Sequence, residues 1–147
     1  MTDQAHNTNA SDSLLKRFAD AAEGLFIISE TDSPMMPFRW PGFFAEKSAT
    51  EDTKEAVRRS QKLLDGTLVE TVTLEKFFKT QIEPDEGDDD EIAGEKRRLV
   101  LLRDLLAKEL QDVTVYRTGK INITAFVLGR VPGTDDAAGV SAELVET

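Results

Sequence analysis

The sequence predicts an α+β domain, a three-layer α/β/α sandwich around a mixed, mainly antiparallel sheet. Three observations lead there. Segments with helical apolar spacing alternate with short apolar runs through the first two-thirds of the chain. The last third instead reads as consecutive strands separated by glycine-containing turns. Finally, Lys120–Arg130 is apolar on both faces, because Ile121, Ile123, Ala125 and Val127 alternate with Asn122, Thr124, Phe126 and Leu128. A strand of that kind needs cover on both sides, so helices are expected on both faces of the sheet.

Residues 1–10 are polar and aperiodic and are expected as a disordered N-terminal tail, with residues 11–147 as a single domain. Ser11 can cap a first helix, along which Leu14, Leu15, Phe18, Ala21, Ala22 and Leu25 recur at helical spacing before Gly24 ends it. Leu25–Ile28 reads as a buried strand, stopped by the turn-rich Ser29–Pro34. Phe38–Trp40, bracketed by Pro37 and Pro41, is a second strand or irregular. Thr50 or Asp52 can cap a helix to about Leu64, with Val57, Leu63 and Leu64 inward and Asp65-Gly66 closing it. Leu68–Val72 is a strand, after which Thr73 caps a short helix from Leu74 to about Thr80 that buries Phe77 or Phe78. A long helix from Ile92 to about Gln111 carries Leu99, Leu102, Leu106 and Leu110 on one stripe, widened by Val100 and Leu105. Val113–Arg117, a turn at Thr118-Gly119, Lys120–Arg130, a Pro132-Gly133 loop and Ala138–Val145 complete the sheet ahead of Glu146-Thr147.

Composition excludes several functions. The 147 residues fit one domain, and 28 acids against 18 bases give a net charge of −10. Nucleic-acid binding draws on basic groups that displace counterions, so direct binding of DNA or RNA is not expected. A basic partner, or solubility alone, suits the charge better. No apolar run approaches a membrane span, and the first residues lack the basic and apolar regions of a secretory signal, which predicts a cytoplasmic protein with no membrane contact. With no cysteine and with His6 as the single histidine, thiolate sites, histidine triads and most catalytic zinc sites are out. Neither G-x-x-x-x-G-K-[ST] nor G-x-G-x-x-G occurs, and no cofactor is expected.

Four features remain as candidates. Glu83–Glu91 holds seven acids and no base, but its spacing is not that of an EF-hand loop. A solvated loop is the simpler reading, with Asp88, Asp89 and Asp90 favoured before a helix N-terminus; attraction of a basic partner is the functional one. Lys54, Arg58, Arg59 and Lys62, like Lys96, Arg97, Arg98 and Arg103, have Glu51, Glu55, Glu95 and Asp104 at pairing distance and read as ion-paired faces. Glu30 follows an apolar run within a turn. By pattern it is a surface residue; functionally it is a carboxylate on a rigid scaffold, able to accept an arginine's paired donors. Thr147 reads by position as a frayed end. It also offers, with Glu146, hydroxyl and carboxylate oxygens of the kind Mg²⁺ accepts.

Three blocks add to this. Leu25-Phe26-Ile27-Ile28-Ser29-Glu30-Thr31-Asp32-Ser33-Pro34 with Phe38-Arg39-Trp40 is the first, and Val72-Thr73-Leu74-Glu75-Lys76-Phe77-Phe78 the second. The third runs from Val115-Tyr116-Arg117-Thr118-Gly119 through Ile121-Asn122-Ile123, Leu128-Gly129-Arg130 and Ala138-Gly139-Val140-Ser141 to Val145-Glu146-Thr147. In order and spacing, from about Ser13 to the last residue, they resemble the nuclease A inhibitor family of bacterial proteins that block a sugar-non-specific nuclease. The resemblance implies a pathogenesis-related-1-like α/β/α sandwich and a non-enzyme that plugs the nuclease active site, as a monomer in a 1:1 complex. It implies that Thr147 reaches the partner's catalytic Mg²⁺ and that Glu30 pairs with active-site arginines. Glu146 and Asp88, Asp89 and Asp90 are expected as further partner-binding residues on their acidic chemistry alone. The family's loop before the long helix carries an exposed aromatic, whereas Pro84–Glu91 has none here. Two other readings stay beside this one: a scaffold of the same fold that binds a different basic partner through its acidic loop, and, last, a carboxylate-based hydrolase.

Overall fold

The computed structural model describes residues 2–48 and 50–147, and for residues 2–9 the backbone alone. In chain order the elements are α1 (Thr2–Ala22), β1 (Phe26–Ile28), β2 (Asp32–Pro34), β3 (Met36–Trp40), α2 (Phe43–Glu46), α3 (Thr53–Ser60), β4 (Val69–Val72), α4 (Leu74–Ile82), α5 (Asp90–Glu109), β5 (Gln111–Thr118), β6 (Asn122–Arg130) and β7 (Ala137–Val145). Five strands form one sheet in the order β3-β7-β6-β5-β4, and β1 and β2 form a separate ribbon. The α+β class is thus as the sequence predicts. Every pairing in the sheet is antiparallel, so the parallel component of a mixed sheet is missing among the described residues. For β5, β6 and β7 the cause is local: short turns reverse the chain between them, and such turns join only antiparallel neighbours.

The two-faced character of β6 is realised. Ile123, Ala125 and Val127 join a core with Leu14, Phe18 and Ala22 of α1, Leu74 and Phe78 of α4, and Leu99, Leu102 and Leu106 of α5. Phe126 and Leu128 face a second cluster with Phe43 of α2, Ala56 and Val57 of α3, and Tyr116 of β5. Trp40 seals that side, its ring 5.1 Å from Phe126. The helices fit their local signals: Asp52, Thr73 and Asp89 cap α3, α4 and α5 by accepting backbone N–H groups. The four-residue helix α2 carries no sequence signal long enough to predict it.

Several expectations need correction. Met1 and the side chains of residues 2–9, most of the expected leader, lie outside the described residues, but the backbone of α1 is helical from Thr2. Nothing upstream of Ser11 breaks a helix, and Ser11 is not the cap. Its hydroxyl is buried and donates to Asp136 Oδ2 at 2.6 Å. Leu25–Ile28 is not a fully buried strand. Ile27 points inward while Phe26 and Ile28 are 47% and 62% exposed, because the ribbon packs by one face only. α3 stops at Ser60, since Lys62 takes a left-handed backbone (φ 53°), and Leu64 is left in solvent.

Asp136 ties the upper end of the sheet together. It accepts from Ser11 of α1, from the Gly42 N–H at 2.8 Å and from the Arg39 guanidinium of β3 at 3.4 Å. Burial alone would raise its pKa; these donors outweigh that and hold it below the usual carboxylate value. The strand that follows, β7, runs through Ala137, Ala138 and Gly139, small residues between two neighbours. A β-carbon at Gly139 would collide with the Val127 carbonyl group. Gly139→Ala is therefore expected to cost about 1–3 kcal/mol or more, the range for overpacked interiors. A urea unfolding curve that leaves the midpoint unchanged would contradict this close approach.

Candidate functional site

Below Gly139, β7 pairs residue by residue with β6 down to Val145 opposite Asn122. Bonds from the flanking turns then take over from the ladder. Ser29 Oγ accepts the Val145 N–H at 3.1 Å, and the Glu30 N–H donates to the Val145 carbonyl at 3.2 Å. From the other side the Glu146 N–H donates to the Ile121 carbonyl at 2.9 Å. Two turns therefore grip the strand as it leaves the sheet. Thr147 completes the arrangement. Its hydroxyl donates to Glu30 Oε1 at 2.8 Å and its backbone N–H to Glu30 Oε2, so one carboxylate holds the residue at two points.

The Ser29–Thr31 turn is itself fixed. Ser29 Oγ accepts the Thr31 N–H, the local bond that favours serine in turns. Gln81 of α4 pairs with the free edge of β1, accepting the Ile28 N–H at 2.9 Å and donating to its carbonyl at 2.8 Å. On the far side, Ser33 Oγ accepts the Glu143 N–H at 2.8 Å and docks β2 onto β7. An open cleft of about 580 Å³ lies beside this chain end, with Glu30, Glu70, Lys76, Gln81, Arg117 and Thr147 among its lining. Arg117 reaches across it to bond Glu146 Oε2 through Nη2, while its Nε is buried with no partner. A buried donor left unsatisfied costs about 1–3 kcal/mol, so the Glu146 contact is made against a local penalty.

The site residues expected from sequence separate into two groups. Glu30, Glu146 and Thr147 come together at one end of the sheet. Asp88, Asp89 and Asp90 do not line the cleft; they build the start of α5. Asp89 Oδ1 accepts the Ile92 N–H at 2.8 Å, and Asp88 pairs with Lys96 at 2.7 Å. The Lys96 bond, then the Asp85 N–H, hold the Asp88 carboxyl below its ordinary value. The basic helix faces are ion-paired in part: Arg59 meets Glu51 and Arg103 meets Asp104, both at 3.0 Å, and Arg58 meets Glu55 at 3.4 Å, whereas Arg98 donates to the Glu23 carbonyl. Lys96 turns to Asp88 instead of to Glu95. Gln81 and Arg117 are positioning groups that sequence reasoning missed. Arg117 had a signal: two residues after Val115 on one strand, it is a charge on the core-facing side.

Chemically, Thr147 spends its hydroxyl proton on Glu30, which leaves the oxygen's lone pairs to accept from or ligate something else. The two Glu30 oxygens also retain acceptor capacity beyond the Thr147 bonds. Among the described residues no group of three or more His, Asp or Glu side chains is placed to hold a metal ion, and no helix is long and apolar enough to cross a membrane. Fixed oxygen acceptors thus stand together at the open end of the sheet. The chain belongs to the nuclease A inhibitor-like family, whose model matches residues 12–147. A search of curated proteins returned no match. The family is one of inhibitors, which suggests a nuclease as protein partner and a role other than catalysis.

The Thr147 hydroxyl, followed by its N–H, lowers the Glu30 pKa against a smaller opposing effect of desolvation. With the pKa depressed by docking of Thr147, the stabilisation is complete above the ordinary carboxylate range and is lost as pH falls through the lowered value. A carboxyl-carbon NMR titration should place Glu30 below an ordinary glutamate, and deletion of Thr147 should return it upward. An unshifted Glu30 in the intact chain would mean that the bond does not form in solution.

Proposed function

We propose that this protein inhibits a sugar-non-specific, metal-dependent endonuclease by occupying its active site, with Thr147 next to the catalytic Mg²⁺ and Glu30 against active-site arginines. The reading extends to a monomeric, pathogenesis-related-1-like sandwich that acts in the cytoplasm of a bacterium as a 1:1 complex. The observation that carries it is the doubly bonded Glu30–Thr147 pair, which sets a carboxylate and a hydroxyl side by side at the open end of the sheet.

Each step follows from charge and ligand chemistry. A nuclease cleft attracts phosphates, so a chain of net charge −10 is steered toward it by the same field. At the metal, the Thr147 hydroxyl oxygen replaces a water or a phosphate oxygen, a hard ligand for a cation that keeps most of its waters. Glu30 replaces a second phosphate on arginine, where two oxygens match two parallel donors. Family membership supports the partner class, and the pairing of the two residues supports their joint use. The acidic-loop alternative has no comparable observation in its favour, because Asp88 and Asp89 are engaged at the start of α5.

The test is DNA cleavage by a non-specific endonuclease titrated with the intact chain, Glu30→Ala and the Thr147 deletion. Inhibition by the intact chain, a loss of roughly 2–5 kcal/mol in Glu30→Ala and near-complete loss on deletion are expected, with unfolding midpoints little changed. If both variants inhibit at full strength, the plug is wrong. If instead replacing Asp88, Asp89 and Asp90 by serine abolishes capture of the enzyme, the acidic loop is the binding element.

A further inference from the structure

We propose that Arg117 is a positioning residue that presets the Glu146-Thr147 end before any partner arrives. Its place in the sheet leads to this. Arg117 stands opposite Ala125 of β6, which in turn pairs with Ala142 of β7. Arg117 Nη2 nonetheless meets Glu146, on the same core-facing side as Ala142 and Leu144 of β7. The guanidinium uses Nη2 on Glu146 and leaves Nε buried without a partner. An apolar side chain would fill such a position without an orphaned donor. Charge supplies the reason for an arginine. Glu30, Glu70 and Glu146 all line the same cleft, and Lys76 and Arg117 are the only cationic side chains among its lining residues. Without Arg117 the three carboxylates repel one another, and Glu146 loses its only side-chain partner among the described residues. The adjoining Thr147 then depends on Glu30 alone. Arg117 thus lowers the ordering cost of presenting the chain end, which is how preorganisation raises affinity.

The inhibition arm of the test rests on the proposed function; the dynamics arm does not. In the free protein, backbone ¹⁵N relaxation is compared for the intact chain, Arg117→Met and Arg117→Lys, with Trp40 fluorescence and the unfolding midpoint confirming that each folds. Order parameters of Glu146 and Thr147 should fall below about 0.6 in Arg117→Met, with Val140 and Ala142 unchanged and partial recovery in Arg117→Lys. In the nuclease assay, Arg117→Met should weaken inhibition by about tenfold, and in a Glu146→Gln background it should add nothing. Unchanged order at Glu146 and Thr147 in a folded Arg117→Met overturns the proposal. So does a loss of inhibition that simply adds to that of Glu146→Gln. If the intact chain inhibits no nuclease, the functional reading fails, and the relaxation data still decide whether Arg117 orders the chain end.

Discussion

The position of β7 is the constraint on which the rest depends. It is hydrogen-bonded on both edges, to β3 and to β6, and it is the strand that delivers Glu146 and Thr147. A slip of one residue would turn its core-facing side chains outward and move Thr147 to the opposite face. Two features prevent that slip. Asp136, just ahead of the strand, is held by Ser11, Arg39 and Gly42, and Gly139 lets the Val127 carbonyl come too close for any other residue. Register is thus fixed at the upper end of the strand, while its consequence is felt at the lower end, through nine successive pairs with β6.

What the lower end receives is a segment that would fray if hydrophobic packing were its only support. Val145 is partly exposed, and Glu146 and Thr147 are exposed. Polar bonds from three separate elements do the holding: Ser29 and Glu30 after β1, Ile121 in the β5–β6 turn and Arg117 in β5. Each is exposed or partly so, and individually worth little in water. Their effect comes from acting together on three consecutive residues, so that each bond is made on a backbone the others have already ordered. Ordering in advance is what an acidic surface needs. Long-range attraction brings a basic partner near, but the on-rate it gains is used only if the contacting groups are already in place.

Much of the fold was legible in the sequence because its signals are local. Caps at Asp52 and Thr73, the leucine stripe of α5 and the alternation in β6 each need only neighbours in the chain. The failures have the opposite origin. Ser11 reads as a cap because serine before an apolar periodicity usually is one, and only the distant Asp136 gives its hydroxyl another use. Phe26 and Ile28 read as buried because an apolar tetrapeptide does not reveal that its ribbon packs by one face. The candidate site shows the same division. Glu30 and Thr147 are each legible as candidates, but only the family resemblance assigns them to one site, since nothing local pairs residues 117 positions apart. The link from Arg117 to Glu146 had a local trace in strand alternation, but its meaning lay in the partner strand.

The acids of this chain do two kinds of work, and the structure separates them. In Glu83–Glu91 the charge is densest, yet Asp88 and Asp89 are drawn into the start of α5 by Lys96 and by the helix's free N–H groups. That run contributes to the overall field without presenting a shaped contact. Around the cleft the acids are fewer, but Glu30 and Glu146 each have a defined partner and therefore a defined direction. Density of charge governs how strongly a basic body is attracted from a distance, and it is screened beyond about 8–10 Å at ordinary salt. Direction governs what is bound at contact. Sequence composition reveals the first at once; the second emerges only when residues from β1, β5 and β7 are brought to the same place.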